Sequence, residues 1–163
     1  VKCEIAQLGP GEWRRLRAIR LRALEDAPDG FEGTLSESEQ RSDAEWERRL
    51  GDMTTFVATS ADEDVGMIRV AADSKRRDAA WLLSLWVAPD ARGTGAGSML
   101  VDAVVAWARA RGCACVLLDV GDHNHDAIAL YARKGFVANG ITGSLRPPRQ
   151  HIRQHQRELR LDH

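Results

Sequence analysis

No apolar run in this 163-residue chain approaches the length that a bilayer-spanning helix requires, about 20 consecutive, mostly apolar residues, so no membrane span is expected. The segment Val1-Lys2-Cys3-Glu4-Ile5-Ala6 is charged early and lacks a long apolar core, so neither a secretory signal nor a transit peptide is apparent. The cytoplasm is then the default location. Cysteine is scarce: Cys3, Cys113 and Cys115 make an odd number with no C-x-x-C pair, which argues against a disulfide framework and a zinc ribbon. On a strand, Cys113 and Cys115 point to one face as small core hydrophobes, and no metal is expected. Excess charge of either sign is missing too. A formal net charge of -1 argues against bulk attraction to nucleic acid, although the stretch from Arg146 to Arg160 is locally basic.

Hydrophobic residues at 44% and charged residues at 29% are the proportions of a soluble globular protein, long enough to bury a core as one domain over 1–163. Lysine occurs only at positions 2, 75 and 134, and this preference for arginine hints at a GC-rich bacterial genome. Lys2 to Gln7 reads as a first strand, and Pro10-Gly11 opens a helix from about Glu12 to Ala27. A loop runs to about Ser38. Ser42-Asp43-Ala44-Glu45 has the spacing of a capping box and starts a second helix that carries Trp46 and Leu50. Thr54 to Ser60, Val65 to Ala72 and Ala79 to Val87 form an antiparallel meander. After Pro89 the apolar period changes from two to about 3.6: Met99, Leu100, Ala103, Val104, Trp107 and Ala108 stripe a helix from Gly97 to Gly112. Cys115 to Val120 is a strand, Asp126 to Lys134 a short helix ended by Gly135, and Phe136 to Gly143 and Gln154 to Leu161 are closing strands. Arg146 to Arg153 reads as a solvated link between those last two. The layout is mixed α/β, and the strands flanking the long helix should lie parallel.

Between the strand ending at Val87 and that helix lies Arg92-Gly93-Thr94-Gly95-Ala96-Gly97. Alternating glycines let successive backbone N–H groups converge on one point, and the unpaired amides of the first helical turn face the same space. A pyrophosphate suits such a loop. Equally, a strand-to-helix turn uses glycine for steric reasons alone. Two other anion loops are excluded: a P-loop needs Gly-Lys-Ser/Thr where Gly95-Ala96-Gly97 stands, and three antiparallel strands upstream do not suit a Rossmann sheet.

The stretch Leu85-Trp86-Val87-Ala88-Pro89-Asp90-Ala91-Arg92-Gly93-Thr94-Gly95-Ala96-Gly97-Ser98 resembles the coenzyme A signature of the GNAT superfamily of acyl-CoA-dependent N-acyltransferases. A second block, Asn124, Ala127, Leu130-Tyr131 and Gly135-Phe136, is similar to that family's later motif in order and spacing. The resemblance implies a mostly antiparallel sheet of about seven strands with four helices, splayed between the fourth and fifth strands, here between Ser84 to Val87 and Leu117 to Val120. It implies acetyl-CoA as co-substrate, bound by Leu85, Trp86, Val87, Arg92, Gly93, Thr94, Gly95, Ala96, Gly97, Ser98, Asn124 and Tyr131. The Val87 N–H would face the thioester carbonyl, and Tyr131, the sole tyrosine, would protonate the departing thiolate. Asn124 serves equally as an N-cap.

A general base is harder to place, because Trp81, Leu83 and Leu85 on the central strand are apolar. Asp119, Asp122, His123, His125 and Glu32 remain, and Asp119 or Glu32 acting through water is the expectation. Trp13, Trp46 and Trp107 belong to the core, whereas Trp86 can touch the acceptor; alternation sets Ser84 and Trp86 on one face and Leu85 and Val87 on the other. The expected reaction is acetyl transfer to a primary amine by direct attack, the extended Phe31-Glu32-Gly33-Thr34-Leu35 loop favouring a small-molecule acceptor. A non-catalytic acyl-CoA-binding module and a protein N-terminal or lysine acetyltransferase are the alternatives, and a homodimer is left open.

Overall fold

Seven strands and five α-helices follow one another in the computed structural model, which describes residues 2–162. Their order is β1 (Glu4–Gln7), α1 (Trp13–Asp26), α2 (Leu35–Glu39), α3 (Asp43–Asp52), β2 (Thr54–Ser60), β3 (Glu63–Ala72), β4 (Ala79–Val87), α4 (Ala96–Ala110), β5 (Cys115–Gly121), α5 (His125–Arg133), β6 (Val137–Ser144) and β7 (Arg153–Arg160). Ser42 caps α3 as its spacing predicts, accepting the Glu45 N–H at 3.2 Å. The helix beyond the four expected, α2, lies in the stretch read as loop. Its signal was present: Thr34 accepts the Glu37 N–H at 3.2 Å, the same Thr/Ser-x-x-Glu box.

The sheet has the order β1-β2-β3-β4-β5-β7-β6. Every neighbouring pair is antiparallel except β4 and β5, which α4 connects. That parallel pairing spans only Ala79↔Cys115, Ala80↔Val116 and Trp81↔Leu117. Beyond Trp81 the strands part, while β5 stays paired with β7 as far as Gly121↔Gln154. On its other edge β4 carries a bulge: Met67 faces Trp86 and Arg69 faces Leu83, so β4 holds one residue more than β3. Ser84, inside this bulge, has φ 59, a left-handed conformation that a residue with a Cβ adopts at a cost of about 1–2 kcal/mol.

The two faces of the sheet differ. On one, α4 packs Leu100 against Gly66, where a Cβ would stand 3.1 Å from the Leu100 Cδ1. The apolar stripe of α4 is Ala96, Leu100, Val101, Val104 and Ala108. Met99, expected inside, is 38% exposed, and Trp107 is only half-buried; the helix begins one residue earlier than expected and turns Val101 inward instead. On the other face lie α1 and α3, with Leu16, Ile19, Leu24 and Trp46 almost fully buried. Cys113 and Cys115 do not share a face of one strand. Cys113 precedes β5 and joins the main core, and Cys115 joins a small separate cluster with Ala79 and Leu117.

The link after β6 is not simply solvated. Arg149 donates to the carbonyls of Pro28 at 2.8 Å, Phe31 at 2.9 Å and Glu32 at 2.6 Å, and Arg146 pairs with Glu37. The link is therefore tied to the segment after α1. Replacing Leu100 by alanine should lower unfolding free energy by about 2–5 kcal/mol, while Met99→Ala should stay within about 0.5 kcal/mol; urea denaturation distinguishes them.

Candidate active site

The glycine loop follows a short 3-10 turn over Pro89–Ala91. Gly93 and Gly95 have φ 80 and 90, and a Cβ at either would meet nothing within 4 Å. Backbone conformation, not crowding, demands glycine there. At Gly97 space decides: a Cβ would stand 3.1 Å from Leu130 Cδ2 and 3.6 Å from Val87 Cγ2. Gly95 occupies the N-cap of α4 without any side-chain cap, so the first amides of this 15-residue helix point unsatisfied into the loop, with the positive end of the helix dipole behind them. The donor set fits an anion.

A cleft of about 720 Å³ opens over this loop, walled by β4 at Leu85–Val87, the start of α4, α5 and the segment from Asp26 to Phe31. Leu85, Trp86, Val87, Arg92, Gly93, Gly95, Ala96, Gly97, Ser98 and Asn124 all line it. Thr94 does not; its hydroxyl donates to the Ala91 carbonyl at 2.5 Å and bolts the loop instead. Tyr131 lies behind the wall, 5% exposed and tilted against Phe136 at 5.7 Å between ring centroids. Burial pushes its phenol above the ordinary value, which keeps it protonated. Asn124 Oδ1 accepts the Ala127 N–H at 3.4 Å, so it caps α5 while also facing the cleft.

Strand geometry decides which backbone groups face the gap. The Ala88 N–H donates to the Val65 carbonyl at 2.8 Å, and adjacent residues of a strand aim their amides to opposite sides. The N–H and carbonyl of Val87 therefore point away from β3, into the splay. Ser84 and Trp86 bond to side chains of α1, and Val87 meets Gly97 on the α4 face, as alternation predicts.

Asp26, read only as a helix end, is a site residue that local sequence missed. Its Oδ2 accepts from Trp86 Nε1 at 2.9 Å and from Arg92 Nη2 at 2.7 Å. The Trp86 bond first, and Arg92 with it, hold its carboxyl below the usual range. Arg92 Nε also donates to the Val87 carbonyl at 3.0 Å, so one carboxylate links α1, the central strand and the glycine loop. Asp119 and Glu32 lie outside the cleft lining but near one another: burial raises the Asp119 carboxyl, the Glu32 charge adds to this, and a Gln156 hydrogen bond opposes it. Asp122 is held by His155 Nδ1 at 2.5 Å, and His123 lines the cleft.

A model of the acetyltransferase (GNAT) family matches residues 17–136. The chain belongs to the GNAT acetyltransferase family. It is 34% identical over 94 residues to a streptothricin acetyltransferase of Streptomyces lavendulae, covering 58% of this chain and 50% of that protein. It is 32% identical over 124 residues to a mycothiol acetyltransferase of Thermobispora bispora, covering 74% of this chain and 41% of that protein. The chain thus spans half or less of the length of these curated relatives. Among solved structures, a GNAT acetyltransferase from Streptococcus pneumoniae aligns with TM-score 0.81 at 20% identity, covering 98% of this chain and 100% of that one. A ribosomal-protein-alanine N-acetyltransferase from Brucella melitensis aligns with TM-score 0.77 at 23% identity over 97% and 99% of the two chains. A structure from Salmonella typhimurium with its cofactor, acetyl-CoA, aligns with TM-score 0.77 at 18% identity over 100% and 96%. These three share the fold.

In this GNAT chain the loop's left-handed glycines give a direct test. Gly95→Ala should cost about 1 kcal/mol of stability through strain and weaken coenzyme A binding at least about tenfold by crowding the helix N-terminus, read by thermal melting and calorimetric titration.

Proposed function

We propose that this GNAT acetyltransferase transfers the acetyl group of acetyl-CoA to the primary amine of a small molecule, by direct attack within a ternary complex. The observation that carries the reading is the Val87 N–H turned into the splay beside an uncapped, glycine-lined helix N-terminus. Negative charge grows on the thioester oxygen as the amine adds, and a fixed backbone donor stabilises it without reorganising. The pyrophosphate suits the amides of Gly93 to Ser98, with Arg92 beside them, and the pantetheine arm suits the unpaired edge at Leu85–Val87. Asn124 faces the same slot.

In the proposed reaction the amine nitrogen bonds to the thioester carbon, the C–S bond breaks, and the thiolate takes a proton from Tyr131. Burial raises the Tyr131 value and so makes it a weaker acid, and the transfer requires the thiolate sulfur to reach its hydroxyl directly. The amine proton passes through water to Asp119 or Glu32.

Support for a small acceptor comes from the three carbonyls that Arg149 grips. These ties join the β6–β7 link to the segment lining the cleft, where a peptide acceptor needs an open groove. The names streptothricin and mycothiol acetyltransferase point the same way, and the ribosomal-protein relative keeps a protein acceptor as the second reading.

Calorimetry should show acetyl-CoA binding, and thiol release should be faster with small amines than with peptides. Tyr131→Phe should lower kcat by about 10²–10⁴-fold with acetyl-CoA affinity nearly unchanged. Binding without thiol release on any amine would leave a non-catalytic module, and faster turnover of peptides would overturn the small-molecule acceptor.

A base must be ionised to act, and burial raises the Asp119 carboxyl. Activity should therefore fall as pH drops through a value above the ordinary carboxylate range. Asp119→Asn should remove that acid limb from the pH dependence of kcat/KM; unchanged profiles in both Asp119→Asn and Glu32→Gln would rule out both carboxylates.

A further inference from the structure

Arg20, in the middle of α1, is only 7% exposed. Its Nη1 donates to Ser84 Oγ at 2.8 Å, and its Cζ lies 4.7 Å from the centroid of the Phe31 ring. Nε has no partner among the described residues, and Nη2 bonds to no described residue. No carboxylate among them balances the charge. The charges that reach Arg20 are those of Arg49, Arg69 and Arg41; burial first and these like charges next pull it down to about 9, which leaves it cationic at neutral pH. A buried guanidinium without a counter-ion is among the least favourable arrangements in a protein interior.

Several features set this cation on the acceptor side. Ser84, its partner, directly precedes Leu85–Val87, is itself only partly buried, and is held at φ 59 in the β4 bulge. Phe31, on which it stacks, lines the cleft. Gly33 leaves the space over Nη2 free of a side chain: a Cβ there would stand 3.7 Å away. Nε is sealed from solvent, so Nη2 is the donor left for a ligand, a charge-assisted partner for one oxygen of a carboxylate. An opposite pole lies close in the chain, since Glu32 follows Phe31 and its charge reaches Asp119. A lone guanidinium at one end and two carboxylates at the other complement a molecule bearing both a carboxylate and an ammonium.

We propose that Arg20 receives a carboxylate of the acceptor, so that the acceptor is an amino acid or another amine carrying a carboxylate, with its ammonium toward Asp119 and Glu32. The amine half of this statement rests on the acetyl-transfer reading above; the anion half rests on Arg20.

Two measurements separate those halves. The first compares initial rates for amino acids and for the amines left when their carboxylate is removed. Wild type should favour at least one carboxylate-bearing member about 100-fold in kcat/KM. Arg20→Gln should erase that preference through KM, with the decarboxylated partner changing less than about threefold, and Arg20→Lys should restore part of it. The second needs no turnover: the CoA-loaded protein is titrated with N-acetylglycine and with N-methylacetamide, the same amide with and without a carboxylate. Saturable binding of N-acetylglycine that Arg20→Gln abolishes is expected. Equal binding of the two, binding of neither, or equal loss of both substrate classes in Arg20→Gln overturns the proposal and leaves Arg20 a structural residue. Discrimination in the titration without turnover of any amine would sink acetyl transfer and keep the anion site.

Discussion

β4 and β5 share three residue pairs, from Ala79↔Cys115 to Trp81↔Leu117, and then part. A buried strand that stops pairing leaves backbone N–H and carbonyl groups facing the gap, and such groups must find partners. On β4 the consequence falls on Val87, whose carbonyl accepts from Arg92 while its N–H points into the splay. Near the point of parting lies the Ser84 bulge, which shifts β4 by one residue against β3. β5 is left in the same state, since β7 covers only its far edge, to Gly121, as β3 covers the far edge of β4 to Val87. The opening thus has two unpaired edges, and an extended ligand can add to the β4 edge as a further strand.

Keeping the gap open requires that the elements around it be tied elsewhere. Asp26 does this at one end, bonding Trp86 on the strand and Arg92 on the loop from the last turn of α1. Arg149 does it at the other, gripping three carbonyls between Pro28 and Glu32. Both ties are charge-assisted, which makes each stronger than a neutral hydrogen bond. Both converge on the end of α1 and the segment after it, so one short stretch is tied to the glycine loop on one side and to the β6–β7 link on the other.

What was legible in the sequence is what short-range chemistry writes. The left-handed turns at Gly93 and Gly95, the cap at Asn124 and the helix that carries Tyr131 each depend on residues within one turn of each other, and their spacing predicts them. Asp26, Arg149 and Arg20 were not legible as site residues. Asp26 meets Trp86 across 60 positions and Arg149 meets Phe31 across 118, and no local period encodes such pairs. A helix end and a solvated link accounted for the segments of Asp26 and Arg149 equally well, Arg20 drew no reading of its own, and α2 escaped notice although its own capping box was local. The stripe of α4 shows a subtler limit: Met99 and Val101 are both apolar, and only the packing against β3 decides which turns inward.

The two halves of the site are made of different material. In the proposed reading the donor half is main chain: amides at Gly95 to Ser98, the Val87 N–H and the open edge of β4. Its demands on sequence are mostly permissive, glycine where φ is positive and a small residue where Leu130 comes close. In the same reading the acceptor half is side chain, drawn from α1, the segment after it, β5 and the β6–β7 link. Each member there is a charge whose surroundings set its value: Asp119 raised by burial, Asp26 lowered by two donors, Arg20 pulled down by burial and by like charges. A family likeness therefore reports on the donor half, because glycine patterns are what such a likeness records. In the proposed reading the acceptor is set by the balance of charge on the α1 face, where the buried guanidinium of Arg20 finds no counter-ion among the described residues and a carboxylate brought by the acceptor would supply one.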